Sequence, residues 1–333
     1  MKYKLEKVNC NICGSNEYAV YIKDAEELYN GLDGTFDVVQ CVKCGFKFTN
    51  PRPTPDTIGY FYPVTAGYYK PEHPKRVAGL KKRLVNSILT NYYGYHLGGI
   101  PKILDFSMYL FYRVKRKFDL AHIPRYVEHG KLLDVGCSWG KYLCSMKNLG
   151  WEVYGIEMHE QAVKYAAEEL GLKVRQGTID NMDFGDAFFD VINMSMVLEH
   201  LHDPSGILIE AYRLLKANGR LILSIPDISG FEAWIFRGKA YCLHVPQHLN
   251  HFTPETVGLL LEKTGFRVEK LLHHNSVTDM IKSASYLDNK LLFRILSSKL
   301  VAKLFVRPVV KVLSLVGKTS RMTVYAIKSA GAE

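Results

Sequence analysis

The 333-residue chain lacks several features that would classify it at once. No apolar h-region precedes Cys10, so the sequence indicates no signal peptide. Residues 84–101 carry no formal charge, but Asn86, Gly94 and Pro101 among them argue against a membrane span. We therefore expect a cytoplasmic protein. In a reducing compartment its seven cysteines favour a metal site over disulfides.

Neither of two common nucleotide-binding motifs occurs. The pattern G-x-x-x-x-G-K-[ST] is missing, which excludes a P-loop, and so is the G-x-G-x-x-G of dinucleotide sites. Acidic residues are scarce in two segments, with four in residues 71–130 and three in residues 271–333. The net charge of +10 divides into 0 for residues 1–70, +7 for 71–130, −4 for 131–270 and +7 for 271–333. This distribution does not describe a uniformly basic nucleic-acid-binding surface.

What the sequence does contain begins with two cysteine pairs. Residues 10–14 read C-N-I-C-G and residues 41–45 read C-V-K-C-G. In each pair two thiolates can face one metal, and the glycine permits the tight turn that follows. The four ligands Cys10, Cys13, Cys41 and Cys44 suit tetrahedral Zn²⁺ in a closed, structural site. Ordinary reduced cysteines and a redox pair are the alternatives.

The middle of the chain alternates between predicted strands and helices, which is typical of a mostly parallel sheet covered on both faces. The predicted strands are 131–135, 151–156, 172–176, 189–194, 220–225, 266–272 and 322–328. A helix from 204 to about 217 is predicted between the fourth and fifth of these. A glycine turn at 136–140 follows the first strand, where backbone N–H groups can face a ligand. Glu157 closes the second strand and can accept both hydroxyls of a ribose.

The segment L-L-D-V-G-C-S-W-G at 132–140 resembles motif I of the class I S-adenosylmethionine-dependent methyltransferases, with Ser138 in place of a glycine. Residues 189–204 resemble the fourth strand and following helix of that family. The resemblance implies an α/β fold with a Rossmann-like seven-stranded methyltransferase sheet, an antiparallel last strand and S-adenosylmethionine as cofactor. The N-terminal zinc ribbon and extra helices would be additions to that fold.

The same resemblance implies the cofactor-binding residues. Gly136, Ser138 and Gly140 would line the methionine end of the cofactor, with Asp134 orienting the loop or the ammonium and Glu157 holding the ribose. The remaining positions would flank the adenine or face the sulfonium; they are Thr178, Ile179 and Asp180 for the adenine, and Met194 and Ser195 for the sulfonium. A solvated acid at Glu157 and ordinary packing at Thr178 and Ile179 are the alternatives.

Three further segments resemble methyltransferases of surface-glycan and modified-sugar pathways. They are N-P-R-P at 50–53, Y-F-Y-P at 60–63 and V-P-Q-H-L-N-H-F at 245–252. The resemblance implies a glycan, nucleotide-sugar or lipid-linked saccharide as methyl acceptor. One alternative is an RNA methyltransferase that grips RNA with the ribbon and basic helices; another is a non-catalytic cofactor-binding or scaffold protein.

Histidines are the candidate bases, because imidazole suits proton removal near pH 7. His248 and His251 follow the fifth strand and His200 follows the fourth, at the edge where sheets of this type bind ligands. Loop capping is the alternative role for these histidines. Glu199 and His200 could equally form only the start of a helix.

The last basic segment predicts an amphipathic helix. Lys299, Lys303, Arg307 and Lys311 recur every four residues. Apolar residues should mostly fill the opposite side; they are Leu304, Phe305, Val309, Val312, Leu313 and Val316. Pro308 should kink or split the helix. Peripheral contact with the inner face of the membrane, a solvated face over a protein core, and nucleic-acid binding are the three interpretations.

These patterns predict five segments. They are a zinc ribbon at 1–55, a linker and basic helical insertion at 56–129, a cofactor-binding core at 130–275, a basic amphipathic insertion at 276–319, and a last strand and tail at 320–333. The aromatic run from Tyr60 to Tyr69 either packs one domain on another or covers a ligand.

Overall fold

The computed structural model describes residues 2–63, 79–97 and 120–329. Part of the predicted basic insertion lies outside these residues, including Tyr68, Tyr69, Lys75, Arg76 and the basic residues Arg113, Lys115, Arg116 and Lys117. Within the insertion the structure describes one helix, α1, at Gly79–Tyr93. None of the helices in the described ranges is both long enough and apolar enough to cross a bilayer.

Thirteen strands and ten α-helices occur in the described residues. The strands are β1 Leu5–Glu6, β2 Tyr18–Glu26, β3 Thr35–Cys41, β4 Lys47–Thr49, β5 Arg52–Pro53, β6 Lys131–Val135, β7 Glu152–Glu157, β8 Lys173–Gln176, β9 Phe189–Ser195, β10 Leu215–Pro226, β11 Asn250–His251, β12 Phe266–His273 and β13 Arg321–Lys328. The helices after α1 are α2 Lys141–Lys147, α3 Glu160–Glu168, α4 Pro204–Leu214, α5 Phe231–Phe236, α6 Pro254–Lys263, α7 Thr278–Ser285, α8 Lys290–Ser297, α9 Lys299–Val301 and α10 Arg307–Leu315.

Seven strands form one sheet in the order β12-β13-β10-β9-β6-β7-β8. β6, β7 and β8 pair in parallel, whereas the last strand, β13, pairs antiparallel with β12. The predicted Rossmann-like sheet of seven strands is therefore confirmed. Its inner strands are buried on both faces, which is why their sequences are nearly continuous apolar runs.

The helix predicted from residue 204 to about 217 is shorter in the structure. α4 ends at Leu214, and β10 begins at the next residue. The carbonyl oxygens of Arg213 and Leu214 accept hydrogen bonds from the N–H groups of Ala187 and Phe188, just before β9. These bonds end the helix before Gly219. The start of α4 agrees with the prediction, since the Asp203 side chain accepts the N–H of Gly206 at 2.9 Å.

The N-terminal strands form a second sheet in the order β11-β4-β3-β2. Its edge strand β11 comes from the V-P-Q-H-L-N-H-F segment and pairs antiparallel with β4, so that His251 lies opposite Lys47. The cysteine-rich segment and the histidine segment, about 200 residues apart in sequence, thus share a sheet. Sequence spacing alone gave no sign of this pairing.

Contacts among the described residues define two compact units. The first unit comprises residues within Met1–Tyr69, Met194–Tyr212 and Leu223–Ser329. The second unit comprises residues within Lys70–Asn193 and Arg213–Ile222. The first has a core in which Phe36, Phe61 and Leu243 are fully buried, and the core of the second includes strands β6 and β7.

Candidate functional site

The four N-terminal cysteines come together in the first unit. All four sulfur atoms lie within 4.8 Å of one another, with Cys10 Sγ 3.4 Å from Cys44 Sγ and Cys13 Sγ 3.5 Å from Cys41 Sγ. Each pair ends in a glycine with positive φ, Gly14 at +75° and Gly45 at +74°. None of the four forms a disulfide. The arrangement matches two facing knuckles, the donor set that Zn²⁺ prefers.

The first knuckle is tied to distant parts of the same unit. The Asn11 carbonyl accepts from Ser205 Oγ at 3.2 Å, and the Ile12 carbonyl accepts from Lys263 Nζ at 2.6 Å. The Asn11 amide donates to Asn250 Oδ1, and Asn250 Nδ2 donates in turn to the Leu201 carbonyl at 2.7 Å. The cysteine cluster therefore braces the loop that follows β9.

The glycine turn lies in the second unit, between β6 and α2. Gly136, Ser138 and Gly140 all have positive φ, at +70°, +48° and +79°. The N–H groups of Gly136 and Cys137 both donate to the Ile156 carbonyl, which holds the turn against the end of β7. Ser138 adopts the left-handed conformation that the more usual glycine would adopt without strain.

Glu157 closes the turn. Its Oε2 accepts the Ser138 N–H at 2.8 Å, and its Oε1 accepts the N–H groups of Met158 and His159 at 2.8 and 2.9 Å. Three N–H donors therefore fix the position of this carboxyl group at the strand end. The structure places Glu157 against the glycine turn, and its predicted contact with a ribose stays a prediction.

Asp134 is buried beneath the turn and accepts a 2.6 Å hydrogen bond from Asn193 Nδ2. Burial raises the pKa of this carboxyl to about 7, although the bond from Asn193 acts in the opposite direction. Asn193 was not identified from the sequence. Its position inside an apolar strand, N in F-D-V-I-N-M-S, was the available signal, because buried amides occur where they have a polar partner.

Two glycines allow close packing around the turn. A Cβ at Gly140 would lie 2.6 Å from Leu172 Cδ1, and a Cβ at Gly155 of β7 would lie 2.7 Å from Cys137 Sγ. Gly155 was also not identified from the sequence, although a glycine within a strand signals such close approach.

Replacing Gly140 by alanine should destabilise the protein more than replacing Gly171. Both have positive φ, but a Cβ at Gly171 would meet nothing within 4 Å. Gly171→Ala therefore incurs only the left-handed strain, about 1–2 kcal/mol, whereas Gly140→Ala adds overpacking of about 1–3 kcal/mol. Urea unfolding of both variants measures the difference, and equal losses would contradict the packing argument.

The remaining predicted cofactor residues differ in exposure. Thr178 and Asp180 are accessible and Ile179 is buried in a short 3₁₀ turn, which the Gly177 N–H ties to the Glu157 carbonyl at 3.0 Å. In the first unit, Met194 is fully buried in β9 and Ser195 is exposed at its end.

The histidine segment is positioned by the second sheet. Thr49 Oγ1 donates to the His248 carbonyl at 2.9 Å and lies 3.1 Å from His251 Nε2, which must then be the donor to that oxygen. His251 is buried, and burial lowers the pKa of its imidazole to about 3. His251 is thus buried with its Nε2 bonded to Thr49, which fits the structural role that we gave as the alternative. His200 and His248 have different partners.

His200 and His248 lie together, with ring centroids 4.7 Å apart. His200 Nδ1 is 2.9 Å from the Gln247 carbonyl and His248 Nδ1 is 2.9 Å from the Cys242 carbonyl. A carbonyl oxygen can only accept, so each Nδ1 carries the proton and each Nε2 carries a lone pair. No described group bonds His248 Nε2, which is buried.

Glu199 completes this group. One ligand atom from each of Glu199, His200 and His248 lies within 4.8 Å of the others; we call these three residues the histidine–glutamate cluster. Glu199 is fully buried, and neither of its carboxyl oxygens has a hydrogen-bond partner in the described chain. The sequence singled out the two histidines but assigned Glu199 no role beyond the start of a helix.

Burial sets the protonation of the cluster. It raises the pKa of the Glu199 carboxyl to about 8 and lowers that of the His200 imidazole to about 4. The pKa of His248 is also lowered well below its usual value by burial. The histidines are therefore neutral at pH 7, and Glu199 is the member that titrates near neutrality.

A wall of half-buried tyrosines lies in the same unit; it consists of Tyr29, Tyr62, Tyr241 and Tyr286. Tyr62 Oη is 2.8 Å from His200 Nδ1. The ring of His244 contacts Tyr29 at 3.9 Å between centroids. Lys282 Nζ lies 4.2 Å from the Tyr241 ring centre and donates to its hydroxyl at 2.8 Å.

Comparison with known proteins gives the class. The family profile described as a methyltransferase domain matches residues 133–223. The ubiquinone biosynthesis O-methyltransferase of Pseudomonas syringae pv. tomato is 30% identical over 173 residues, which cover 47% of this chain and 74% of that protein. The protein of the same name from Proteus mirabilis is 29% identical over 174 residues, covering 47% and 70%.

Among solved structures, a putative S-adenosylmethionine dependent methyltransferase from Listeria monocytogenes covers 67% of this chain and 99% of its own, at 16% identity and a TM-score of 0.43. The family profile and the sequence relatives show that the chain belongs to the class I S-adenosylmethionine-dependent methyltransferases. The protein is accordingly an enzyme, and a purely scaffolding role is set aside.

Proposed function

We propose that the protein transfers the methyl group of S-adenosylmethionine to a hydroxyl of a glycan, nucleotide-sugar or lipid-linked saccharide. The observation that carries this proposal is the histidine–glutamate cluster, which lies in the same unit as the tyrosine wall. The proposal has two parts, cofactor binding by the second unit and proton removal by the first.

The glycine turn fits the cofactor. Positive φ at Gly136 and Gly140 lets the chain turn sharply between β6 and α2, where a loop of this kind can place backbone N–H groups near a ligand. Glu157 would accept the ribose hydroxyls, and Asp134 would balance the ammonium charge. When bound, S-adenosylmethionine supplies an electrophilic methyl carbon and a neutral leaving group.

Proton removal is the task left to the chain. The acceptor hydroxyl oxygen forms the new bond to carbon while the carbon–sulfur bond breaks, and the hydroxyl proton must leave. His200 is only half-buried, and its Nε2 would take that proton. The Glu199 carboxylate, within 4.8 Å, would then hold it. Tyr62 and the Gln247 carbonyl would keep the imidazole in the required tautomer.

A saccharide suits the polar groups that the described residues leave without partners. Besides the Glu199 oxygens and His248 Nε2, these include His244 Nε2 and Gln247 Oε1. An unpaired buried polar atom costs about 1–3 kcal/mol, and sugar hydroxyls both donate and accept. The tyrosine wall offers apolar ring faces with polar edges, and Lys282 offers a cation for a phosphate of a nucleotide-sugar or lipid carrier.

A phenolic acceptor is the second candidate, because the matched relatives are named for ubiquinone biosynthesis O-methylation. A phenol needs one base and an apolar pocket. The buried polar atoms without hydrogen-bond partners among the described residues, however, are more than one phenol hydroxyl could bond. We therefore rank the saccharide first.

The cysteine cluster supports our further proposal that one Zn²⁺ is held by Cys10, Cys13, Cys41 and Cys44. The ion would link the two knuckles and close its coordination shell with thiolates, so its role would be structural. Through Asn11 and Asn250 it would fix the loop that carries Glu199 and His200.

Radiolabelled S-adenosylmethionine with the protein and fractionated cell extract identifies the acceptor. We expect label in the saccharide or lipid-linked glycan fraction, and none with the Glu199→Gln variant. Label in a phenolic lipid fraction would favour the second candidate. Label in RNA would instead identify an RNA methyltransferase, and would be accompanied by steeply salt-dependent RNA binding.

Cofactor binding should strengthen with pH because of Asp134. Its raised pKa, about 7, leaves it mostly neutral at pH 6 and mostly ionised at pH 8. If the ionised form balances the cofactor's ammonium, affinity rises about tenfold across that interval. Calorimetric titration at several pH values measures this, and Asp134→Asn should flatten the curve. A wild-type affinity independent of pH would remove Asp134 from cofactor binding.

A further inference from the structure

The segment from α8 to α10 exposes an unusual number of large apolar side chains. Nine of them between residues 291 and 316 are 46–69% exposed; they are Leu291, Ile295, Leu300, Leu304, Phe305, Val309, Val312, Leu315 and Val316. Single exposed apolar residues need no explanation, but a concentration of this kind marks an interaction surface. We call these nine residues the apolar surface.

These residues are not the face that packs on the protein. The buried stripe of the segment is Ala302, Val306, Val310 and Ser314, one residue in every four. Val306 and Val310 pack with Met280 of α7 and with Phe231 and Phe236 of α5. The sequence predicted one apolar face opposite the cations, whereas the structure buries a narrow stripe and leaves Leu304, Phe305, Val309, Val312 and Val316 exposed.

The helix changes its winding next to Pro308, where the sequence predicted a kink or a split. Helical residues continue from Lys299 to Leu315, but Ala302–Val306 are π-helical and α10 begins at Arg307. Proline has no N–H to donate to the preceding turn, which is a common cause of altered winding. Leu304 and Phe305 lie in the π-helical stretch between the buried residues Ala302 and Val306, and both are exposed.

Positive charge accompanies the apolar surface. Between Asn289 and Ser320 the sequence has seven cationic residues and no acidic one. In the described part of the chain, none of the six cations from Lys290 to Lys311 forms an ion pair. Their charge is therefore not neutralised by neighbouring side chains and is available to an anionic partner.

A nearby helix contributes an aromatic anchor. Trp234 and Ile235 of α5 are exposed, while Phe231 and Phe236 of the same helix pack with Val306 and Val310. Indole rings favour the boundary between water and acyl chains because they are apolar with one polar edge.

From this combination we propose that the apolar surface docks onto the anionic headgroup layer of a phospholipid bilayer. Exposed aliphatic side chains interleaved with unpaired cations fit that layer, since the apolar groups enter the acyl boundary and the cations meet lipid phosphates. A second copy of the chain would bring like charges together, and RNA would leave the aliphatic side chains in water. The proposal does not depend on which acceptor is methylated.

Flotation of the full-length protein with vesicles tests the proposal. We expect binding to phosphatidylglycerol–phosphatidylcholine vesicles, at least about tenfold weaker binding to pure phosphatidylcholine, and weakening with salt. The variant Leu300→Ser/Phe305→Ser/Val312→Ser should bind at least about tenfold more weakly. The variant Lys303→Glu/Arg307→Glu should lose a similar factor at low salt.

The matched control is Ile209→Ser, which removes an equally exposed apolar side chain from α4. It should float like the wild type, and all variants should keep the circular dichroism spectrum and the melting temperature of the wild type, which shows that they are folded. Absence of binding to anionic vesicles, or equal binding by the triple-serine variant, would overturn the proposal. A wild-type dimer that becomes monomeric in the triple-serine variant would identify the apolar surface as an interface between two copies of the chain instead.

Discussion

We expect the variant Glu199→Gln to lose about 100-fold or more in methyl-transfer rate, the usual range for removal of a general base. The amide has nearly the shape of the carboxylate but could not accept the proton that His200 removes in the proposed reaction. Affinity for S-adenosylmethionine should not change, because Glu199 is not one of the predicted cofactor residues and most of those, including Asp134 and Glu157, belong to the second unit. Single-turnover transfer, together with cofactor binding by calorimetry, measures the two effects separately.

The pH profile of the wild type supplies an independent readout. Glu199 has a raised pKa of about 8, so it is protonated and inactive as a base below that pH and ionised above it. The rate should therefore rise through about pH 8 and then level off. The histidines, with pKa values lowered by burial, contribute no step between pH 6 and 9. A flat profile would assign proton removal to His200 alone.

A matched buried carboxylate controls for simple destabilisation. Glu232 is also almost fully buried, but its Oε2 accepts from the N–H and hydroxyl of Ser320 at 3.0 and 2.9 Å. Glu232→Gln should lower stability and leave the transfer rate and its pH profile near those of the wild type. If both variants lost activity equally, Glu199 would have only a structural role.

The sequence predicted the sheet well because local patterns determine it. Buried strands such as β6 and β9 read as continuous apolar runs, and the glycine turn with Glu157 lies within one strand–helix–strand unit. All of these signals act over fewer than 30 residues. The antiparallel last strand agrees with what the resemblance implied. The hydrogen bonds from the turn to Glu157 were not predicted, and its role toward a ribose stays a prediction.

The histidine–glutamate cluster could be predicted only in part, because it depends on long-range pairing. His248 acquires its position from β11 pairing with β4, about 200 residues away. Thr49 bonds Nε2 of His251. The Cys242 carbonyl instead bonds Nδ1 of His248, so that the lone pair of His248 is on Nε2. No spacing in the sequence encodes those partners.

The basic amphipathic segment at 276–319 was predicted only in part, for a different reason. A cation at every fourth residue correctly predicted a helix, and Pro308 predicted an irregularity in it, which the structure shows as the π-helical residues Ala302–Val306. The pattern could not tell which apolar residues face the protein, because the buried residues Ala302, Val306, Val310 and Ser314 are only one narrow stripe among many apolar ones. Exposure of Phe305, which decides between a core and a docking surface, is visible only in the folded chain.

The second large effect concerns the cysteine cluster. We expect one equivalent of zinc in the purified protein, and the variant Cys41→Ser should lose it. Structural zinc contributes about 10–16 kcal/mol in small domains, which is comparable to the whole stability of a typical domain. A fall in the melting temperature of about 10 °C or more is therefore expected, measured by scanning calorimetry beside metal analysis.

We expect the methyl-transfer rate to fall when zinc is lost, even though the four predicted zinc ligands are not among the proposed cofactor or acceptor contacts. The chain of hydrogen bonds from Asn11 through Asn250 to the Leu201 carbonyl fixes the loop that carries Glu199 and His200. Loosening that loop by about 1 Å can cost about 100-fold in rate. Cofactor affinity should persist, because the glycine turn belongs to the other unit. Cys144→Ser, a half-buried cysteine in α2, is the matched control and should keep zinc, stability and activity. Two results would contradict the zinc proposal: purified protein without bound metal, or a Cys41→Ser variant that retains a full equivalent. Either would indicate that the four cysteines are ordinary thiols.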